Sequence, residues 1–459
     1  MSSSTDDTSA VPRPPAEGAS TARPPGLRLP AMVQTLLFAT LRHRMFPVLR
    51  RMHGDIFTLR LTTPTRHLVI LAGQEDIKTV FAGPVDVLHA GEGNAIMGPA
   101  LGDHSVLLSD EDEHRRARRL LMPAFTGAAL RGYQDMVTAL TKAEVERWPE
   151  GRVIGTHQRM QALTLEVILQ VVFGVTDEER LTRMRPLVRG VADIGPVTLL
   201  GLPYPALRRV GPWRRHACLQ QRLDALLYAE IADRRRARDL GERTDVLSRL
   251  LQAAESDDSG GFSDAEMRDQ LITLLLAGHE TTATGLAWAV HELVRRPEQM
   301  RRAQKAADEG DDAYLTAVAK EGLRLKPVVY EVARQLTAPL TVGGYRLPAG
   351  STVMPAIGLV QSDPAHHDQP DVFRPERFLD GQPPANTWIP FGGGARRCLG
   401  AGFALLEATV ALRELLLRYE LRPDRPQPEA QRAHHVTLVP ERGARVVVTR
   451  RGSGPGVTA

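Results

Sequence analysis

The sequence predicts a mainly α-helical chain with a few small β-sheets. Two observations carry this. Apolar residues recur at helical spacing through most of residues 110–325. Alternating or short apolar runs bounded by turn residues are confined to 55–71, 340–356 and 436–448. A third observation bounds the size. The chain has 459 residues at 42% hydrophobic content, enough for two or three ordinary domains or one large one. No internal repeat and no Gly/Ser-rich linker divides its middle.

Composition excludes several classes. A formal net charge of +4 implies no nucleic-acid partner. All but five of the 58 basic residues are arginine, the usage of a GC-rich bacterial genome. Two cysteines exclude a disulfide framework and suit a reducing cytoplasm. Residues 1–30 carry six prolines among Ser, Thr and Ala and are expected to be a disordered tail, with 451–459 a flexible C-terminal one. No basic segment leads into an apolar one there, so no secretory signal is expected. Leu29–Leu41 is too short to span a bilayer, and an amphipathic core helix is expected rather than a membrane-surface helix.

The elements follow in order. Asp55–Leu61 and Arg66–Leu71 read as a hairpin, and Gly73–Phe81 as a helix. Pro84–Asp103 lacks periodicity and reads as a long loop, with Val85, Val87, Leu88, Ile96, Met97 and Leu101 its apolar members. Asp110–Leu121 is helical, with an acidic first turn that suits the helix dipole. His114 and Arg118, four apart, share a face, while Arg115, Arg116 and Arg119 suit a solvated basic surface. Gln134–Trp148, Gln158–Phe173 and Asp177–Ile194 are helices. The Pro- and Gly-rich stretch 195–212 breaks helix and is expected to move as a lid. Trp213–Leu240 is an arginine-studded helix whose Cys218 is expected to be inert.

Ser263 and Glu266 form a capping box that opens a helix reaching to about Arg296. Its centre is Ala277-Gly278-His279-Glu280-Thr281-Thr282. Glycine and consecutive threonines are poor helix-interior residues, so the helix is expected to bend and to open at Gly278 with room for a water. A carboxylate beside hydroxyls in an apolar helix suits a proton relay. The plainer reading is a kinked buried helix with a satisfied glutamate. Ala313–Leu325 places Glu321 and Arg324 on one face. Short strands at 340–342, 345–347 and 352–356 follow, with Gly343-Gly344 as a turn. His366 and His367 are expected in an exposed loop, and 436–439 with 445–448 as a closing hairpin.

The most informative stretch is Phe391-Gly392-Gly393-Gly394-Ala395-Arg396-Arg397-Cys398-Leu399-Gly400. Its glycines let backbone approach a flat ligand, and backbone N–H groups near the sulfur favour a thiolate. The pattern F-x-x-G-x-R-x-C-x-G resembles the haem-binding loop of the cytochrome P450 family. The run Ala277–Thr282 is similar to that family's A-G-x-[D/E]-T-T motif, with Glu280 where Asp is commoner. The pair Glu321/Arg324, followed by Arg377, resembles its E-x-x-R network.

The resemblance covers most of the chain and implies a single large domain over 31–450 with haem b between two long helices. It implies that Cys398 ligates the iron, within a cofactor-binding set of Phe391, Gly392, Gly400, Ala277 and Gly278. His114, Arg118, Arg334 and Arg396 would hold the propionates. Glu280 and Thr281 would deliver protons to dioxygen, and Glu321, Arg324 and Arg377 would be structural. Val87, Leu88, Ile96, Met97, Ala277, Val328 and Val329 would line the substrate pocket. The implied reaction inserts one atom of O2 into an apolar small molecule, by hydroxylation or epoxidation. No flavin or nicotinamide fingerprint follows the Cys398 loop, so the electrons are expected from NAD(P)H through a separate ferredoxin reductase and ferredoxin. The surface by Arg115, Arg116, Arg119 and Arg397 would receive that acidic partner. A cytoplasmic monomer without a membrane anchor is expected. The rival readings are a peroxide-driven haem peroxygenase and a non-catalytic haem-thiolate sensor.

Overall fold

The computed structural model describes residues 20–452, apart from 63–66, 175–177, 196–197, 199–200, 203, 257–260 and 382. Its longer helices are α1 (Ala31–His53), α2 (Gln74–Ala82), α3 (Glu111–Leu121), α4 (Gly127–Val145), α5 (Thr156–Phe173), α6 (Glu178–Ala192), α7 (Gly211–Arg235), α8 (Val246–Ser256), α9 (Asp264–Leu293), α10 (Pro297–Glu309), α11 (Asp312–Leu325) and α12 (Ala401–Arg418).

Helix α9 is the axis. Ser263 Oγ accepts from the Glu266 N–H at 3.3 Å and the Ser263 N–H donates to Glu266 at 2.8 Å, which starts the helix as its sequence requires. Its apolar residues are buried nearly all round, against α5, α11 and α12. The expected opening at Gly278 is absent. The helix runs unbroken, and a Cβ at Gly278 would lie 2.8 Å from Ile168 of α5. Glycine there lets two helices pack closely. Thr281 does bond back to the turn below, its hydroxyl donating to Ala277 O at 2.8 Å.

The largest sheet has the order β1 (Ile56–Arg60), β2 (His67–Leu71), β8 (Thr352–Pro355), β5 (Arg334–Leu336), β3 (Leu88–His89). Most neighbours are antiparallel, while β2 and β8 are parallel. Strand β3 and the short helices Ala90–Gly93 and Gly98–Leu101 replace the long loop expected over 84–103. Residues 20–30, expected within the disordered tail, are held against the sheets. The N–H of Thr58 bonds Pro25 O at 2.7 Å because edge strand β1 offers unpaired backbone, and Ser20 bridges Tyr345 of the separate two-stranded sheet formed by Leu340–Val342 and Tyr345–Leu347. Residues 1–19 and 453–459 lie outside the described residues, as do 196–197, 199–200 and 203 of the expected lid, in which Pro205–Arg209 forms a short helical turn.

Three further expectations are corrected. Over Leu29–Leu41 the helix is not a core helix: Leu29, Met32, Val33 and Leu36 are exposed, and only beyond a kink at Leu41 do Phe46 and Leu49 enter the core. The closing hairpin pairs differently. Strand β11 (Thr437–Pro440) pairs with β10 (Gln431–His434), whereas β12 (Arg445–Arg450) pairs with β9 (Tyr419–Pro423) and β4 (Val153–Gly155). His435, at φ +54°, helps turn β10 into β11, and Gly443, at φ +85°, redirects the chain. His367 is buried rather than exposed, its Nε2 3.1 Å from Thr387 O. Among the described residues, no helix is long and apolar enough to cross a membrane.

Candidate active site

The Cys398 loop is built by glycine geometry and one α2 contact. Gly392 and Gly394 sit at φ +65° and +64°, and a Cβ at Gly394 would collide with Phe81 O. The N–H of Cys398 donates to Phe391 O at 2.9 Å, folding the loop back before α12 begins near Gly400. The Cys398 side chain is accessible, yet burial pushes its thiol pKa up against the Gly400 N–H and the charges of Arg118 and Arg397. Both hold for a group that faces a slot inside the protein. A coordinated metal would remove the proton outright.

Around this slot the chain gathers cations. His114 is buried, and burial together with Arg396 and Arg118 holds its pKa at about 4. Burial, Arg396 and, in the opposite sense, Asp110 set Arg334 at about 10. Arg334 is 6% exposed, and the hydrogen bond it makes is to Ala333 O at 2.7 Å. Among the described residues, no carboxylate lies within 4.0 Å of it. Arg118 donates to Arg397 O at 2.8 Å. Arg396 donates to Ser109 O at 2.7 Å and pairs with Asp110, which also accepts from the Gly91 and Glu92 N–H groups. A buried guanidinium without an acid calls for an anionic ligand. The donor set fits a flat group bearing carboxylates and a metal that takes a thiolate.

On α9, Leu274, Ala277, Gly278 and Thr281 share one face at i, i+3, i+4 and i+7, and all four are at least partly accessible, as are Leu276, Glu280 and Thr282 beside them. Ala277 is exposed outright. Glu280 turns aside from this face. Its Oε1 lies 2.7 Å from His434 Nδ1 and accepts from Thr437 Oγ1 at 3.3 Å. Burial alone would raise the Glu280 pKa, but the hydrogen bond and charge of His434, with His435, outweigh it and hold the carboxyl below its usual range. Sequence reasoning missed His434, Thr437 and the pairing role of Asp110. Each reaches its partner across a long stretch of chain, and no local spacing announces it.

Glu321, Arg324 and Arg377 come together next to the loop region. Glu321 takes Arg324 at 2.7 and 2.9 Å, Arg377 at 3.1 Å and the Arg374 N–H at 2.8 Å. Of the expected pocket positions, Val87, Ile96, Met97 and Ala277 are accessible at least in part. Leu88 is taken up by the sheet cluster with Ile56 and Leu336, and Val328 is buried 3.8 Å from where a Gly285 Cβ would be. Val329 bridges Thr437 through the backbone. Arg116 is no free surface cation, since it pairs with Glu266 at 2.6 Å and donates to Gly261 O.

Comparison with known proteins agrees with this site. The family described as Cytochrome P450 matches residues 24–448. A Mycobacterium tuberculosis protein provisionally named cytochrome P450 135A1 is 47% identical over 440 residues, 95% of this chain and 98% of the relative. Another, provisionally named cytochrome P450 135B1, is 45% identical over 433 residues, 93% of this chain and 91% of the relative. The solved structure of retinoic acid-bound cyanobacterial CYP120A1 superposes with a TM-score of 0.81 at 24% identity, covering 94% of this chain and 100% of that one, and so shares the fold. A thiol at the end of a glycine loop, a surplus of buried cations around it and a relative that matches nearly end to end lead to one assignment: the chain belongs to the cytochrome P450 family and is a haem-iron monooxygenase.

Proposed function

We propose that the protein inserts one atom of O2 into an apolar small molecule of lipid, terpenoid, steroid or macrolide type, with haem b held between α9 and the Cys398 loop. Bound there, the cofactor supplies the activation of dioxygen by thiolate-ligated iron. The chain's own residues supply the rest. Cys398 offers the thiolate. His114, Arg118, Arg334 and Arg396 bind the two propionates, and Arg334, buried with no acid beside it among the described residues, is the observation that carries this reading. Thr281, on the accessible face of α9, orients protons in a pocket that excludes bulk water. Glu280 passes them from His434, its hydrogen-bonded neighbour.

Electrons come from NAD(P)H through a ferredoxin reductase and an acidic ferredoxin. The exposed Arg119 and Arg397, with Arg115 beside its partner Asp112, support docking on that side, and salt should weaken it. The setting is a reducing cytoplasm.

The test is turnover of the purified haem-loaded protein with a surrogate ferredoxin pair, on a substrate chosen by ligand-induced spectral shift. The expected result is NAD(P)H-dependent product carrying one atom of ¹⁸O from ¹⁸O2, with Cys398→His losing the red-shifted CO band of a thiolate ligand. Product formed with hydrogen peroxide but never with O2 and NAD(P)H would overturn the reading in favour of a peroxygenase.

A further inference from the structure

We propose that Glu280, His434 and His435 form a binding site for a divalent transition-metal ion, with zinc(II) the best match. One carboxylate oxygen and one ring nitrogen from each histidine lie within 4.8 Å of one another. Glu280 comes from α9, and the histidines from the end of β10 and its turn into β11, the strand that packs on α9. Adjacent residues of a strand point to opposite faces. Here the left-handed backbone of His435 brings its ring back beside that of His434, with centroids 4.1 Å apart.

The second observation is a nitrogen with nothing to bind. Among the described residues, the buried His435 Nε2 has no hydrogen-bond partner. Such a group is costly to leave unsatisfied, and a cation shared with Glu280 and His434 would satisfy it. Two imidazoles and one carboxylate are a donor set that zinc accepts, with a fourth position left for water, at about 2.0–2.2 Å per ligand. Around a tetrahedral ion at that distance the ligand atoms stand about 3.4 Å apart, so binding requires side-chain rotation to draw the three groups closer. The imidazoles disfavour magnesium and calcium, which prefer all-oxygen shells. If His434 binds through Nδ1, its Nε2 faces Asp193 Oδ1, now 3.9 Å away, the carboxylate that would fix its ring. Thr437 Oγ1, which donates to Glu280, borders the site.

Such an ion would pin Glu280 away from the accessible face of α9 and so block proton delivery. That consequence rests on the role of Glu280 proposed above; the binding does not.

Zinc(II) binding to the haem-loaded full chain, measured by equilibrium dialysis in a non-chelating buffer, tests the site. His435→Asn keeps a residue that tolerates left-handed backbone, and His434→Gln is a second variant. A CO spectrum and melting curve matching wild type show that each is folded. The expected result is that each loses one zinc equivalent, or binds it about tenfold more weakly or worse, and that excess magnesium does not compete. Identical zinc isotherms for wild type and both folded variants would overturn the site. A zinc equivalent lost in the variants, with wild-type coupled turnover indifferent to zinc, would leave the site standing and remove Glu280 from proton delivery instead.

Discussion

Two buried arginine clusters in this molecule are handled in opposite ways. In the Glu321 cluster, donors are matched to acceptors. Arg324 spends its guanidinium on both Glu321 oxygens and on the carbonyls of Gln361 and Val372, and Arg377 adds Glu321, Gln369 and Val372. In the His114 cluster, Asp110 serves Arg396, while Arg334 and Arg118 make backbone carbonyl bonds and nothing in the described chain supplies them an acid. Two carboxylates on a ligand would complete the second cluster. The difference separates charge that holds the fold from charge that waits for a ligand.

The contrast can be broken most sharply at Glu321. Glu321→Gln leaves two buried guanidinium groups without their counter-charge and should cost about 3–5 kcal/mol of stability, with or without haem. Denaturant unfolding of both forms measures it, and a loss confined to the haem-loaded form would erase the distinction.

The Glu280 cluster is a third case, satisfied by His434 yet beside the working face. Glu280→Gln should slow coupled turnover by about 10²-fold or more while leaving stability nearly intact. Thr281→Ala should keep haem and substrate binding but divert electrons to hydrogen peroxide. Consumed NAD(P)H, peroxide and product, measured together, separate the two effects; wild-type coupling in both variants would remove the relay.

Arg334→Met should have opposite effects in the two forms. Removing a buried cation that lacks an acid should leave the haem-free protein as stable as before, or more stable by about 1 kcal/mol. Haem retention should fall. Melting of the haem-free protein and haem transfer to apomyoglobin report the two sides, and a destabilised haem-free variant would mean that Arg334 is already structural.

The smallest effect is a pH slope. Folded His114 has a pKa of about 4, against 6.5 for an unperturbed histidine. Between those values the unfolded chain takes up a proton that the folded chain refuses, so stability falls as pH drops through the window. The haem-free protein should show this slope, His114→Asn should flatten it, and bound propionates should also reduce it by raising the folded pKa.

What the sequence disclosed followed the reach of each interaction. The capping box of α9, the Cys398 loop and the Glu321–Arg324 pair are set by spacings of two to seven residues, and each stands where the spacing placed it. His434 meets Glu280 across more than 150 residues, and Asp110 meets Arg396 across 286, so neither pairing leaves a local pattern. The closing strands pair otherwise than their spacing suggests for a similar reason. Thr437–Pro440 had two short candidate partners, and the left-handed His435, a residue type that rarely signals a tight turn, decided between them. Gly278 was legible as a departure from helix chemistry, but its cause, Ile168 on another helix, was not.

That glycine has a bearing on how the protein could be evolved toward new substrates. Ala277 and Gly278 are neighbours in the chain and opposites in tolerance. A side chain enlarged at 277 grows into accessible space along the working face of α9 and changes what fits there. One begun at 278 meets the Ile168 side chain at 2.8 Å, so that side chain must move within the α5–α9 contact before anything is reshaped. A mutant library that randomises 277 and freezes 278 would explore substrate scope without spending the fold.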